Sequence, residues 1–329
     1  MELVCPAGNL PALKVAIDNG ADTVYIGFGD DTNARHFAGL NFNEDRAKQG
    51  VKYAHDRDRK VYVAINTYPQ PSGWERWAGA VDRSVRIGAD AVILADIGLM
   101  EYAHNKYPDL NLHLSVQGSA TSYEALDFYY QNFNIKRAVL PRVLSVAQVK
   151  KVIQCSPVEI EVFGFGSLCV MVEGRCILSS YATARSPNTY GACSPASHVE
   201  YIENDIQLET RLGGVLIDSY TKDETAGYPT LCKGRFKTMG NTYYALEEPT
   251  SLNTLDILPE LQEIGVKAIK IEGRQRSPAY IQTIAKTWSA AINRLNQGNY
   301  QTQDDWNQAL SEVSEGLQTT LGAYHRSWQ

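Results

Sequence analysis

The chain has 329 residues, 44% of them hydrophobic and 21% charged, the proportions of an ordinary soluble protein built as one large domain or one domain with an insertion. Its net charge of −6 leaves no general basic footprint for nucleic acid. The N-terminus, Met1-Glu2-Leu3-Val4-Cys5-Pro6-Ala7-Gly8, lacks the basic and apolar segments of an export signal, and no window approaches a membrane span, so a cytoplasmic location is expected.

Apolar, β-branched runs at 2–5, 20–26, 60–66, 88–94, 111–117, 137–141, 158–164 and 265–271 read as buried strands. Helical patterns lie between them, for example at 10–19, 44–57, 145–155 and 279–296. One short pattern recurs: Gly20-Ala21-Asp22-Thr23-Val24-Tyr25-Ile26, Gly88-Ala89-Asp90-Ala91-Val92-Ile93-Leu94 and Gly265-Val266-Lys267-Ala268-Ile269-Lys270-Ile271. In each copy the glycine reads as the end of a helix and the following run as a parallel strand. Eight strands alternating with helices predict a (β/α)8, TIM-barrel-like α/β fold, with an open doubly wound sheet as the alternative. The rhythm breaks from 166 to 254, a stretch rich in glycine and cysteine with short β-like pieces such as 215–218. It reads as an insertion between strands seven and eight, with 1–165 and 255–329 forming the barrel. Leaving from the C-terminal end of strand seven, the insertion would lie over the barrel mouth, where such barrels carry their chemistry.

Four of the six cysteines fall in that insertion: Cys169, Cys176, Cys193 and Cys232, with 6, 16 and 38 residues between them. In a reducing compartment, clustered cysteines hold soft metals more often than they form disulfides. The residues alone leave an iron–sulfur cluster and structural zinc both open, although the paired Cys-x2-Cys of zinc ribbons is absent. Cys5 and Cys155 stand apart and read as packed apolar residues. Polar residues where strands should end, namely Asn66, Asp96, Gln117, Arg142, Glu272 and Arg274, would face the barrel mouth. Arg142 and Arg274 could clamp a carboxylate-bearing co-substrate, because a guanidinium binds carboxylates bidentately. The plainer reading pairs Glu272 with Arg274 or has them brace loops. Asn33, Arg35 and His36, in the long loop after strand two, are further candidates.

The string from Glu161 through Phe163, Gly166, Ser167, Leu168, Cys169, Gly174, Cys176, Leu178 and Ser179 resembles the signature of the collagenase-like peptidase family. Similar pieces are Cys5-Pro6-Ala7-Gly8-Asn9, Asn33-Ala34-Arg35-His36-Phe37, Leu231-Cys232-Lys233-Gly234-Arg235, and Lys270-Ile271-Glu272-Gly273-Arg274 followed by Ser277-Pro278. The resemblance spans nearly the whole chain. It implies oxygen-independent hydroxylation of a prenylated phenol, a ubiquinone precursor, with a 4Fe-4S cluster on Cys169, Cys176, Cys193 and Cys232. It further implies a homologous partner in a heterodimer, a sterol-carrier-like protein presenting the lipid, and prephenate as the source of oxygen. Relatives that hydroxylate ribosomal or transfer RNA supply a second reading, and a non-catalytic iron–sulfur partner subunit a third. Proteolysis finds no support in the residues, since His-Glu-x-x-His and Gly-x-Ser-x-Gly are both missing.

Overall fold

The computed structural model describes residues 1–36, 39–171, 176–185 and 193–325. Phe37 and Gly174, both part of the family-like strings, lie outside the described residues. Seven strands and their helices follow in strict alternation: β1 (Glu2–Pro6), α1 (Leu10–Asp18), β2 (Thr23–Ile26), α2 (Glu44–His55), β3 (Lys60–Ile65), α3 (Trp74–Arg86), β4 (Ala91–Leu94), α4 (Ile97–Lys106), β5 (Asn111–Leu114), α5 (Tyr123–Phe133), β6 (Arg137–Val139), α6 (Val146–Cys155) and β7 (Glu159–Ser167). Next come α7 (Ile177–Thr183), β8 (Val199–Glu203), β9 (Gln207–Leu212), β10 (Val215–Thr221), β11 (Arg235–Thr238), β12 (Asn241–Tyr244) and β13 (Ser251–Asn253). The chain then adds α8 (Leu258–Glu263), β14 (Ala268–Ile271), α9 (Pro278–Asn296), α10 (Asp304–Glu312) and β15 (Thr319–Thr320).

Strands β1 to β7 pair in sequence order, all parallel, and β14 closes the ring by pairing in parallel with both β7 and β1. The architecture is therefore the expected (β/α)8 barrel rather than an open sheet. Local signals explain the punctuation. Asn9, Asn43, Asp96, Ser122, Ser145 and Ser277 each cap a helix by accepting a backbone N–H. Gly20, Gly88 and Gly265 follow the helix ends as expected, all with positive φ.

The stretch between β7 and β14 forms an antiparallel sheet of order β10-β9-β8 and the hairpin β11–β12. Its last strand, β13, returns to the barrel. It pairs antiparallel with the overhanging end of β7, Ser251 opposite Ser167, and in parallel with β15 from the C-terminal segment. Gly166 lies inside that overhang at φ 134°. A Cβ there would come within 2.5 Å of the Glu272 Cβ, so only glycine lets β7 pass this close to the end of β14.

Apolar burial divides into two regions. The larger lies between the barrel wall and its helices, with Trp77, Trp288, Leu13 and Leu99 fully enclosed. The smaller fills the barrel axis with Val4, Tyr25, Tyr62, Ala64, Ala91, Ile93 and Ala268. Charges share that axis: Glu161 bonds Lys270 at 2.5 Å and Arg137 at 3.3 Å, and Arg137 reaches Glu2 and Glu159, each at 2.7 Å.

Candidate active site at the barrel mouth

The C-terminal ends of the strands enclose a cavity of about 70 Å³. Tyr25 and Phe163 supply aromatic faces, and Arg35, Arg142, Lys270 and Arg274 supply four cations against the carboxylate of Glu272. Asn66, Ser115 and Gln117 complete its polar lining. Six of the seven residues expected to bind substrate thus meet here, Arg35, Asn66, Gln117, Arg142, Glu272 and Arg274, with Glu272 as counter-charge to the cations.

Glu272 pairs with Arg142 at 2.5 Å and lies 3.9 Å from Arg35, so its partners are these two rather than Arg274. The Arg142 guanidinium also stacks over Phe163 at 3.5 Å. Arg274 donates instead to Asn33 Oδ1 at 2.6 Å and faces the Tyr25 ring. Burial lowers the pKa of Arg274 to about 10, which leaves it fully cationic near neutrality. Asn33 is wholly buried and acts as a loop brace: its amide donates to Phe28 O and Asn41 Oδ1, each at 3.0 Å, while its Oδ1 accepts from Arg35 N. Asn66 accepts from Ala34 N at 3.1 Å and so ties the same loop to the end of β3. His36 leans on the Asn33 carbonyl at 2.9 Å. Asp96, expected at the mouth, serves α4 as its cap, accepting from Leu99 N at 2.9 Å.

Lys270 and Tyr25 were not candidates from sequence. Lys270 is buried on the cavity floor, 4.1 Å from the Tyr25 ring, and burial lowers its pKa against the pull of Glu161. The signal was available: a lysine inside an otherwise apolar strand, in register with inward-facing neighbours, requires a buried counter-ion.

Cys5 packs in the core around the barrel, where burial pushes its thiol well up, and Cys155 is exposed. The other four lie within electrostatic reach of one another. Burial raises the Cys176, Cys193 and Cys232 thiols, Cys232 to about 12. Negative charge on Cys169 raises both Cys176 and Cys232 further, and Cys193 does the same to Cys232. Arg35 links this group to the cavity: burial works against its charge, while Cys193, Glu272 and Cys169 sustain it. Cys176 accepts the Ser179 N–H at 3.3 Å, as a thiolate ligand requires. Tyr228 donates to the Ser194 carbonyl at 2.8 Å, and Ser194 Oγ to the Pro229 carbonyl, so the Cys193 loop is bound to the segment leading to Cys232. Among the described residues no three His, Cys, Asp or Glu side chains are gathered as a site for a single metal ion. Four cysteines are the donor type that soft metals take as thiolates, an iron–sulfur cluster and zinc alike.

The model of peptidase family U32 matches residues 8–327. The chain is 32% identical over 305 residues to an uncharacterized protease of Methanocaldococcus jannaschii, covering 91% of this chain and 67% of that one. It is 30% identical over 336 residues to tRNA hydroxylation protein P of Escherichia coli, covering 96% and 72%. A solved U32 peptidase structure shares the fold with a TM-score of 0.50 at 13% identity, over 84% of this chain and 94% of that one.

Proposed function

The chain belongs to peptidase family U32, and from that premise we propose that it is the iron–sulfur subunit of an oxygen-independent hydroxylase acting on ubiquinone precursors in the cytoplasm. On this reading it corresponds to UbiU, the ubiquinone biosynthesis protein U. On this reading Cys169, Cys176, Cys193 and Cys232 hold a 4Fe-4S cluster. The homologous UbiV completes a heterodimer, the sterol-carrier-like UbiT presents the prenylated phenol, and prephenate supplies the oxygen. The observation that carries the reading is that Arg35, which lines the cation-rich cavity, also lies within electrostatic range of Cys169 and Cys193.

Four protein thiolates leave no iron open to substrate, so the cluster would supply single-electron transfer. The remaining work falls to the cavity. Arg142, Arg274 and Arg35 would orient a carboxylate, and Phe163 and Tyr25 would flank a ring. At about 70 Å³ the cavity is smaller than the ~150 Å³ that accommodates benzene. A substituted ring therefore enters only as lining side chains move.

The likeness to a tRNA hydroxylation protein favours a second reading, base hydroxylation of transfer or ribosomal RNA. The test is iron and acid-labile sulfide content with EPR on protein purified without oxygen, each cysteine changed in turn to alanine. Four irons per chain, lost in each variant, would support the cluster; zinc alone would overturn it. Quinone intermediates and modified nucleosides, measured in an anaerobically grown deletion strain, separate the substrates. Loss of an RNA modification with quinones intact would sink the ubiquinone reading. Hydrolysis of peptide substrates by the purified protein would restore the peptidase reading suggested by its relative's name.

A further inference from the structure

Beyond α10 the chain returns to the barrel mouth. There Glu315 collects partners from the end of β7, from the short turn at 231–233 and from the loop after β14. Ser167 Oγ, two residues before Cys169, donates to its Oε1 at 2.5 Å. The ammonium of Lys233, next to Cys232, pairs with its Oε2. Arg276, in the loop after β14, reaches Oε1 at 3.1 Å. Its own backbone N–H donates to Ser251 Oγ on β13 at 3.0 Å, which fixes the carboxylate from behind. The Lys233 and Glu315 side chains are largely buried, 10% and 22% exposed, so the contact is shielded from competing water. Gly316 allows the close approach: a Cβ there would lie 2.2 Å from the Pro249 carbonyl oxygen.

The two cysteines belong to separate parts of the insertion. Cys169 follows β7, whereas Cys232 lies in a short turn 63 residues further on (232 − 169). Among the described residues, Glu315 is the side chain that bonds both flanks directly. We propose that Glu315 is a positioning residue that sets the separation of Cys169 and Cys232 for the cluster. The proposal rests on the cluster reading above. A single carboxylate bridging a hydroxyl on one flank and an ammonium on the other holds two ligands in register without touching either sulfur, and such outer partners govern how firmly a metal group is retained.

The test compares full-length wild type, Glu315→Ala, Glu315→Gln and Tyr300→Phe, all purified without oxygen. Tyr300→Phe removes a bond of the C-terminal segment to the Leu255 carbonyl, 2.6 Å long and remote in sequence from the cysteines. Bleaching of the cluster absorbance by an iron chelator gives the release rate, and thermal midpoints report general stability. Glu315→Ala should release iron about 10–100-fold faster than wild type. Glu315→Gln, which keeps an acceptor for Ser167, should fall between, and Tyr300→Phe should release at the wild-type rate. Equal rates in Glu315→Ala and wild type would overturn the proposal and leave the cluster reading intact. Equally fast release from Tyr300→Phe would also overturn it, by showing that any loosening of the segment suffices. Wild type that holds neither iron nor sulfide would end both.

Discussion

Glu161→Gln is the sharpest probe of the barrel axis. Glu161 is 1% exposed and accepts from Lys270 at 2.5 Å and Arg137 at 3.3 Å. Arg137 keeps Glu2 and Glu159, but among the described residues Glu161 is the only ion-pair partner of Lys270. Neutralising it strands a buried ammonium, which costs about 3–5 kcal/mol. At about 2 °C per kcal/mol for a domain of this size, the thermal midpoint should fall by roughly 6–10 °C. The pH dependence carries a sign. Burial already lowers the pKa of Lys270 while Glu161 raises it, so the variant's lysine titrates lower still. Between that value and the ordinary ~10.4 the unfolded chain binds the extra proton, so stability rises with pH. The rise should begin at lower pH in the variant than in wild type. Adding Lys270→Met removes the stranded charge and should recover most of the loss. Denaturant unfolding at several pH values measures all of this. A loss under about 1 kcal/mol, the range of an exposed pair, would refute the reasoning, as would a double variant no more stable than the single one.

Arg142→Gln removes the guanidinium bonded to Glu272 and stacked on Phe163; the KM of an anionic co-substrate should rise about 30-fold or more, the equivalent of ~2 kcal/mol, and an unchanged KM would place that ligand elsewhere. Gly166→Ala sets a Cβ 2.5 Å from that of Glu272 at φ 134°, so it should cost about 1–3 kcal/mol of backbone strain and disturb anion binding, both readable by thermal shift with and without ligand. His113 is held far below its ordinary pKa by burial, then by the charges of Arg137, Lys270 and Lys60. It stays neutral when folded and takes a proton when unfolded, so its share of stability is present above about pH 6.5 and drains away as pH falls below that. His113→Gln should flatten the acid limb of the stability profile, and an unchanged limb would count against the assignment.

The barrel was legible because each wall strand is buried on both faces, which leaves continuous apolar runs, and because Gly20, Gly88 and Gly265 mark where helices stop. The mouth residues were legible as polar positions just past those runs. Lys270, Tyr25 and Glu161 escaped because attention to strand ends overlooks the inward-facing charges within strands. Asp96 was misplaced for a local reason: an aspartate between a strand and a helix is as well suited to capping the helix as to facing a ligand. β13 and β15, of three and two residues, have no periodicity to read, and their pairing depends on contacts nearly 70 residues apart (319 − 251). Glu315 belongs to the same class, a surface-like acidic residue whose role exists only once the C-terminal segment has folded back.

The closing strand also sets a timetable for synthesis. β14 emerges from the ribosome only after residues 168–267 have been translated, yet it supplies the partner for the free edges of both β1 and β7. At about 5–20 residues per second those 100 residues take roughly 5–20 s. Throughout that interval the nascent chain presents two unsatisfied strand edges and an uncovered charged interior. The barrel is thus completed late in synthesis, and a chaperone that shields parallel strand edges has its window between the emergence of β7 and the arrival of β14.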